Sequence, residues 1–298
     1  MDLERCSIPT HLQYTRLRRI PAVGNYHAAI WLLRHNTTRK LAIRKEFKRE
    51  DVRSGFATRE ITNLRRLRDC YNVCTYGEHE LNIAAGTGAL VMRVYEYGDL
   101  MPLLQRHIDR GKKFPEAFVW HVLKSLADAL LYMQRGYPAV GGDTYDWIVH
   151  RDVYPRNIFL GLPSSPHLSW PQVVLGDFGS SLSRADAQSR QGIELRQQRD
   201  FSSPDQLFTR RADVYQLGLV IVALCRLTVR PKLYCSQFGN SPAGSGYTPS
   251  LNNVLSRCLV DNPWARVNSL GLKDMLSYCP QVCGGGMYQL LLGQPIQA

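Results

Sequence analysis

Three side chains in one stretch of the sequence could together carry out metal-assisted transfer of a group to a hydroxyl. Asn157 follows Asp152 by five residues, and Asp177 comes twenty residues after Asn157. An aspartate carboxylate can accept the proton of a hydroxyl and orient that hydroxyl for attack. The amide oxygen of Asn157 and the carboxylate of Asp177 are oxygen ligands of the kind that Mg²⁺ prefers. The trio therefore predicts a base at Asp152 and a metal site at Asn157 and Asp177.

The residues around this trio form longer motifs. Residues 150–152 read His-Arg-Asp, and residues 177–179 read Asp-Phe-Gly. With Asn157 between them, these motifs resemble the catalytic loop and metal-binding loop of protein kinases. The resemblance implies phosphoryl transfer, in which positioning and charge neutralisation provide most of the catalysis. In this interpretation Arg151 ties the loop to its surroundings and Gly179 permits the backbone turn beside the metal. The alternative, an ordinary loop followed by an Asp-Phe-Gly turn, is disfavoured because the flanking segments match too.

A predicted strand and a predicted helix upstream supply a lysine and a carboxylate. Residues 42–45 resemble the Val-Ala-Ile-Lys strand of protein kinases, which places Lys45 at the phosphate-binding position. Glu60 begins a helical pattern and is the candidate to pair with Lys45 and hold it towards the phosphates. Glu46 and Glu50 are nearby alternatives, and both members of the expected pair could instead be surface charges.

The resemblance also implies a site for ATP with Mg²⁺. Met92 ends a predicted strand, and Val94 lies in the middle of the expected hinge, where adenine would bond to the backbone. The residues implied in nucleotide binding are Gly24, Tyr26, Lys45, Met92, Val94, Asn157 and Asp177.

The glycine-rich loop departs from the kinase pattern. Residues 22–29 align with Gly-x-Gly-x-Tyr-Gly-x-Val, but the matches are confined to Gly24 and Tyr26. Glycines in such a loop let backbone N–H groups approach phosphates closely. His27 is bulkier than the glycine it aligns with, so we interpret it as a steric replacement, with a phosphate contact by the protonated ring as the alternative.

Two further departures affect the catalytic loop and the segment that faces the substrate. Tyr154 stands where most serine/threonine kinases carry a lysine that neutralises the transferred phosphate. We hypothesise that Arg156 takes over this role; the alternative is a surface arginine with no catalytic role. Residues 197–199 replace a Gly-Thr-Pro motif, so the threonine that commonly contacts the catalytic aspartate is absent. Activation by a phosphorylated loop serine remains open. The candidates are Ser180, Ser181, Ser183 and Ser189.

Downstream motifs predict structural contacts. Residues 203–205 resemble the Ala-Pro-Glu motif of kinases, with Asp205 in place of the glutamate, and Arg266 resembles the late arginine that pairs with that acid. Residues 213–218 resemble the Asp-x-Trp-x-x-Gly segment that begins a buried helix in kinases. The resemblance implies that Asp213 supports the backbone of the catalytic loop. The resemblance covers residues 16–278.

Several short segments resemble the never-in-mitosis-A (NIMA-related) family of serine/threonine kinases. They are residues 45–47, 97–100, 114–120 and 157–160. This resemblance implies that serine and threonine are the acceptors.

The periodicity of apolar residues predicts the elements that position these side chains. Strands are predicted over residues 28–34, 41–47 and 90–94, with a further hairpin within 77–88. Helices are predicted over residues 53–69, 115–134, 213–227, 251–260 and 269–278. The order of these elements predicts an α+β class, and the kinase resemblance implies a bilobal fold. A small antiparallel sheet with one main helix forms the N-lobe (residues 1–95), and a larger, mainly helical C-lobe follows (residues 96–298).

Composition excludes several other classes of protein. The chain has 298 residues, of which 44% are hydrophobic and 21% are charged, so a folded domain is expected rather than disorder. No apolar run reaches the roughly 18 residues of a membrane span. The charged start at residues 1–5 lacks a signal core, which favours the cytoplasm or nucleus.

The charge distribution and the cysteine spacing do not favour a nucleic-acid-binding, membrane-binding or metal-binding protein over a kinase. The net charge of +12 comes from scattered basic residues, so we expect no specific nucleic acid or membrane partner. The kinase resemblance implies a protein substrate. Four arginines of the 53–69 helix are interpreted as a solvated face, with an acidic partner as the alternative; they are Arg59, Arg65, Arg66 and Arg68. The cysteines are expected to be buried free thiols rather than metal ligands, including the spaced pairs Cys70 and Cys74, and Cys279 and Cys283.

The leading interpretation is an ATP-dependent protein serine/threonine kinase. Its expected catalytic residues are Lys45, Glu60, Asp152 and Arg156. The alternative is a pseudokinase that binds nucleotide or acts as a scaffold, which the altered glycine loop and Tyr154 would favour. A small-molecule kinase of related fold is a third hypothesis. The sequence does not indicate the oligomeric state or the substrate.

Overall fold

The computed structural model describes residues 13–21, 27–136, 145–163, 170–189, 198–205, 209–233, 241–278 and 286–297. Within these residues a strand-rich part precedes a helical part, so the expected α+β class is confirmed. In the described ranges no helix is both long and apolar enough to cross a membrane.

One antiparallel sheet of five strands forms the first part of the fold. Its strands are β1 (Tyr14–Ile20), β2 (Ala29–His35), β3 (Leu41–Glu46), β4 (Tyr76–Asn82) and β5 (Thr87–Arg93). They lie in the order β1-β2-β3-β5-β4, so the functional strand β3 is central and pairs with both β2 and β5. The register places Ile30 opposite Lys45. Because paired residues of neighbouring strands point to the same face, these two side chains share a face of the sheet.

The described ranges contain eight helices, of which Leu100–Asp109 and Arg184–Ser189 were not predicted from the sequence. They are α1 (Arg49–Arg53), α2 (Phe56–Arg66), α3 (Leu100–Asp109), α4 (Glu116–Arg135), α5 (Arg184–Ser189), α6 (Arg210–Arg226), α7 (Pro249–Cys258) and α8 (Ser269–Ser277). The predicted 53–69 helix is shorter than expected, because Gly55 adopts a φ of 83° and separates α1 from α2. A positive φ is accessible to glycine and breaks a right-handed helix.

Short strands in the helical part frame the loops that carry the motifs. They are β6 (Ile148–Val149), β7 (Ile158–Gly161), β8 (Gln172–Leu175) and β9 (Leu182–Ser183). β6 pairs with β9, and β7 pairs with β8. The expected catalytic loop therefore runs between β6 and β7, and the Asp-Phe-Gly motif lies between β8 and β9. The ends of these four strands therefore set the distance between the catalytic loop and the Asp-Phe-Gly motif.

The core of the helical part lies around α4 and α6. Every residue from Ala212 to Cys225 is buried, as the apolar pattern of this segment predicts. The apolar stripe of α4 packs against it, with Phe118, Leu123 and Leu130 fully buried. Burial on this scale stabilises the helical part at roughly 25 cal/mol per Å² of apolar surface.

The final described segment returns to α3 and to the end of the hinge. Leu290 is buried in the main core. The Leu291 N–H donates to His107 Nε2 at 3.1 Å, and Arg106 donates to the Leu291 carbonyl at 2.5 Å. Further on, the Ile296 N–H donates to the Glu96 carbonyl at 2.8 Å. Residues 286–297 thus pack along α3 beside the strand-to-helix connection.

The arginines of α2 are not all solvated, contrary to the sequence interpretation. Arg59 pairs with Asp186 at 3.2 Å, and Arg66 pairs with Asp146 at 2.9 Å. These contacts lie within the chain, so neither arginine needs an acidic partner from outside.

Cysteines in the described ranges behave as expected. Cys70, Cys74, Cys225 and Cys258 are buried free thiols. No cluster of three or more metal-ligating side chains is found among the described residues. The Cys279 and Cys283 pair lies outside them.

Candidate active site

A lysine on β3 joins the two carboxylates expected beside it. Lys45 Nζ lies 2.8 Å from Glu60 Oε1 and 2.7 Å from Asp177 Oδ1. Lys45 and Glu60 side chains are 5% and 4% exposed, whereas Asp177 is 30% exposed. The expected Lys45–Glu60 contact is therefore present. The alternative partner Glu46 instead pairs with Arg16 and Arg44.

The Lys45 ammonium and the Asp177 carboxylate stabilise each other's charge, whereas burial raises the pKa of Glu60. Burial by itself would lower the pKa of Lys45, but Asp177 and Glu60 outweigh burial and hold it above its ordinary value. Burial would raise the pKa of Asp177, but the Lys45 ammonium holds it below the ordinary range. Opposite charges at short distance in a low-dielectric site favour the charged forms. The cluster therefore contains an ammonium group and an ionised Asp177 at neutral pH.

Asp152 and Asn157 meet in the catalytic loop. Asn157 Nδ2 donates to the Asp152 carbonyl at 2.9 Å and to Asp152 Oδ2 at 3.0 Å. The tight turn Pro155–Asn157 brings the two residues together. Because the amide nitrogen of Asn157 faces Asp152, its amide oxygen points to the other side and can serve as a ligand.

A backbone N–H takes the place of the missing threonine. The Gln198 N–H donates to Asp152 Oδ1 at 3.2 Å. The sequence correctly shows that Gly-Thr-Pro is replaced at residues 197–199, but it cannot show that a main-chain donor still reaches the aspartate. Any residue other than proline carries this donor, so no residue type signals it.

The environment of Asp152 favours a proton acceptor poised near neutral pH. Burial and the charge of Asp177 raise the pKa of Asp152 to about 7. Hydrogen bonds from Gln198 and Asn157 and the charge of Arg151 oppose this rise. A general base is most effective when its pKa lies near the working pH.

The catalytic-loop backbone is held by two side chains of α6. The Asp213 carboxylate accepts the His150 N–H and the Arg151 N–H, each at 2.8 Å. Gln216 accepts the Val153 N–H at 3.0 Å and donates to the Arg151 carbonyl at 3.1 Å. Arg151 has a φ of 72°, an unfavourable backbone conformation for a non-glycine residue. These four bonds stabilise that conformation.

Gln216 was missed by the sequence analysis, although a signal exists. It lies three residues after Asp213 on α6, and residues three apart share a helix face. A buried helix that presents one polar side chain to a loop can present a second from the next turn.

The Asp-Phe-Gly segment is fixed by a buried histidine. His150 Nε2 lies 3.0 Å from the Gly176 carbonyl, and its ring meets the Phe178 ring edge-on at 4.7 Å. Burial lowers the pKa of His150 to about 4, so the ring is neutral at pH 7 and donates from Nε2. The hydrogen bond to the Gly176 carbonyl fixes the backbone just before Asp177. It thereby helps to set the direction of the Asp177 carboxylate.

The role expected for Gly179 differs from the observed one. The residue with a left-handed backbone conformation beside the expected metal position is Asp177, whose φ is 56°. A Cβ on Gly179 would lie 3.3 Å from both Asp177 Oδ1 and Glu60 Oε2. Gly179 therefore provides space beside the carboxylates, and the turn is made by Asp177.

The predicted ion pair downstream is present and fully buried. Arg266 Nη2 donates to Asp205 Oδ1 at 2.7 Å, and Nη1 donates to Oδ2 at 2.9 Å. The two side chains are 0% and 1% exposed. This geometry fixes the segment that contains Ser203 against the start of α6, where Arg266 also donates to the Arg211 carbonyl.

The two unusual positions of the catalytic loop have different surroundings. Tyr154 is 8% exposed, and its ring lies 6.1 Å from that of Phe201. Arg156 is partly buried, and its charge acts on Asp99 at the start of α3 and on Tyr154. The site thus keeps a cation one residue before Asn157.

The expected nucleotide-binding residues are only partly described. Met92 lies in β5 opposite Ile43, and Val94 is 5% exposed in the connection that follows. Gly24 and Tyr26 lie outside the described residues.

The chain is similar in sequence to known protein kinases. The family model described as the protein kinase domain matches residues 23–275. The G2-specific protein kinase fin1 of Schizosaccharomyces pombe is 33% identical over 185 residues, 57% of this chain and 24% of that protein. The G2-specific protein kinase nimA of Emericella nidulans is 27% identical over 64% of this chain and 30% of that protein.

A third relative, the G2-specific protein kinase nim-1 of Neurospora crassa, is 28% identical over 52% of this chain and 19% of that protein. The resemblance to never-in-mitosis-A kinases is thereby confirmed at modest identity. The chain spans less than a third of the length of each of these relatives.

Proposed function

Because the chain belongs to the protein kinase domain family, we propose that it transfers the γ-phosphoryl group of ATP to serine and threonine hydroxyls of proteins. The observation that carries this proposal is the Lys45 ammonium, which contacts Glu60 at 2.8 Å and Asp177 at 2.7 Å. Phosphoryl transfer by protein kinases depends on such a lysine–glutamate pair beside the metal-binding aspartate.

The residues present fit ATP with Mg²⁺. The amide oxygen of Asn157 is turned away from Asp152, and the Asp177 carboxylate is ionised and 30% exposed. Both are hard oxygen donors, which suit Mg²⁺. Mg²⁺ supplies neutralisation of the phosphate charges when it is bound. Gly24, Tyr26, Met92 and Val94 are proposed to hold the remainder of the nucleotide.

The chain's own residues divide the work of the reaction. Glu60 holds Lys45 in the cleft, where its ammonium can bind phosphate oxygens. Asp152 accepts the proton of the substrate hydroxyl, and the Gln198 N–H and Asn157 amide fix its carboxylate. Asp213 and Gln216 keep the loop that carries Asp152 in place.

Arg156 is proposed to replace the catalytic-loop lysine. Its cationic group lies in the same short turn as Asn157, whereas Tyr154 is buried against Phe201 and cannot supply a charge. Neutralising charge that develops on the transferred group lowers the barrier. The charge of Arg156 also acts on the Asp99 carboxylate at the start of α3.

Wider features follow as part of the same proposal. We infer that residues 1–95 and 96–298 form the two lobes, since β5 ends at Arg93 and α3 begins at Leu100. A protein is the proposed substrate, because the similar relatives are named protein kinases. Buried free thiols favour a reducing compartment, either the cytoplasm or the nucleus.

The test is Mg²⁺-dependent transfer from labelled ATP to casein or myelin basic protein. Wild type should label the substrate, and Asp152→Ala should lose at least about 10²-fold in rate, since a positioned base contributes roughly 10²–10⁴-fold. Asp128→Ala removes a surface carboxylate of α4 and should keep wild-type activity. Labelling by Asp152→Ala at the wild-type rate would contradict the assignment of the base. Wild type that binds ATP but labels neither protein nor itself would contradict the proposed activity.

A further inference from the structure

A histidine beside the Lys45 cluster has a buried nitrogen without a partner. His27 lies just before β2, and its Nε2 atom is buried without a hydrogen-bond partner among the described residues. Buried polar atoms in folded proteins nearly always have partners, so each exception needs an explanation. A bound ligand that accepts a hydrogen bond at this position would provide one.

The charges around the ring identify the part of the cleft that it faces. Burial lowers the pKa of His27, Lys45 and Lys48 lower it further, and Asp177 opposes them. Lys45 extends from β3, Lys48 precedes α1, and Asp177 begins the Asp-Phe-Gly segment. All three elements meet at the end of the cleft where the proposed function places phosphates and metal. The Ala28 N–H donates to the Glu46 carbonyl at 2.9 Å, whereas Ala42 at the other end of β3 pairs with Arg93 beside the hinge. His27 therefore lies near the end of β3 that carries Lys45, away from the hinge.

The chemistry of this position favours an anion with several oxygen acceptors. A neutral imidazole that carries its proton on Nε2 is a hydrogen-bond donor there. The Lys45 ammonium is paired with two carboxylates, and Lys48 adds a further positive charge beside this cluster that attracts phosphate oxygens. An apolar ligand group at this position would leave the Nε2 donor unpaired and would gain nothing from either charge.

We propose that His27 is a nucleotide-binding residue whose Nε2–H donates a hydrogen bond to a phosphate oxygen of ATP. This inference rests on the proposed function, because it assumes that the cleft binds ATP. It replaces the steric interpretation of His27 drawn from the sequence. The side chain supplies a donor in a loop where the usual glycines, and the close approach of N–H groups that they permit, are mostly absent.

The test compares ATP with adenosine, which shares the base and the sugar but has no phosphate. Titration calorimetry on the full chain with Mg²⁺ gives the Kd of each ligand for wild type, His27→Phe and His27→Gln. Phenylalanine keeps a ring of similar size without a donor, whereas glutamine keeps a donor. We expect His27→Phe to weaken ATP binding about tenfold, the lower end for a hydrogen bond to a charged group. Adenosine binding should stay within about twofold, and His27→Gln should recover most of the ATP affinity.

A second readout is independent of affinity. In protein with ¹⁵N-labelled histidine, the resonance that His27→Phe removes should shift when ATP is added and should stay unchanged with adenosine. Circular dichroism of both variants checks that they are folded. If His27→Phe does not fold, the resonance and affinity of His27→Gln still decide the test.

The outcomes separate this inference from the proposed function. Unchanged ATP binding by His27→Phe, or equal losses for ATP and adenosine, overturns the role of His27 and leaves the kinase activity standing. Wild type that binds ATP through His27 but transfers no phosphoryl group supports the phosphate contact and contradicts the activity. Wild type that binds no ATP overturns both.

Discussion

Removing Asp205 should destabilise the fold far more than removing a surface carboxylate of the same type. Asp205→Ala leaves the Arg266 guanidinium, which is 0% exposed, without its carboxylate partner. Breaking a buried pair by removing one member costs about 3–5 kcal/mol, because a charge stays buried and uncompensated. For a chain of this size, that corresponds to a fall in Tm of roughly 6–10 °C, at about 2 °C per kcal/mol.

The matched control is Asp128→Ala. Asp128 pairs with Lys273 at 2.5 Å, and both side chains are 42% exposed. Exposed pairs contribute about 0–1 kcal/mol, so this variant should melt within about 2 °C of wild type. Thermal and urea denaturation followed by circular dichroism measure both variants under the same conditions.

A double variant tests whether the buried charge is the cause. Asp205→Leu combined with Arg266→Met removes both charges, so the stability should recover in part. Full recovery is not expected, because Arg266 also donates to the carbonyls of Val260, Asp261 and Arg211. The reasoning is wrong if Asp205→Ala is no less stable than Asp128→Ala, or if the double variant is less stable than Asp205→Ala.

Two further predictions concern the catalytic loop. The pKa of Asp152 is raised from 3.8 to about 7, so the folded state binds this proton more tightly than the unfolded state and loses stability as pH rises from about 4 to 7. Asp152→Asn should therefore be more stable than wild type at pH 8 by about 2–4 kcal/mol, with the difference nearly gone at pH 4, as measured by urea denaturation; equal stability at pH 8 would contradict it. Arg156→Ala should lower kcat by at least about tenfold with little change in folding, measured by steady-state transfer assays. Unchanged turnover would show that Arg156 is a surface residue without a catalytic role.

The contacts that the motifs predicted share one physical property. Lys45 with Glu60, and Asp205 with Arg266, each join charged side chains that must be paired when buried. Their residue types are strongly constrained, so a short motif is enough to find them. The strand β3 was predictable because it follows a turn-prone segment and resembles the Val-Ala-Ile-Lys strand, and the helix α6 was predictable because it is apolar nearly all round.

The features that the sequence did not predict depend on the backbone or on the tertiary neighbourhood. The Gln198 N–H reaches Asp152 through the main chain, which every residue but proline provides. The pairing of Arg59 with Asp186 joins segments more than a hundred residues apart and leaves no local pattern. The unpaired nitrogen of His27 is a property of its surroundings, so sequence alone suggested a steric interpretation.

The packing of residues 286–297 along α3 shows that the folded domain extends beyond the residues that match the family model. Recognisable family similarity ends at residue 275, yet Leu290 lies in the main core and Ile296 bonds to Glu96. A recombinant fragment trimmed where the similarity stops would remove Leu290 from the core and leave His107 Nε2 and Arg106 without their backbone partners. A recombinant fragment meant to keep these contacts should therefore extend at least to residue 297.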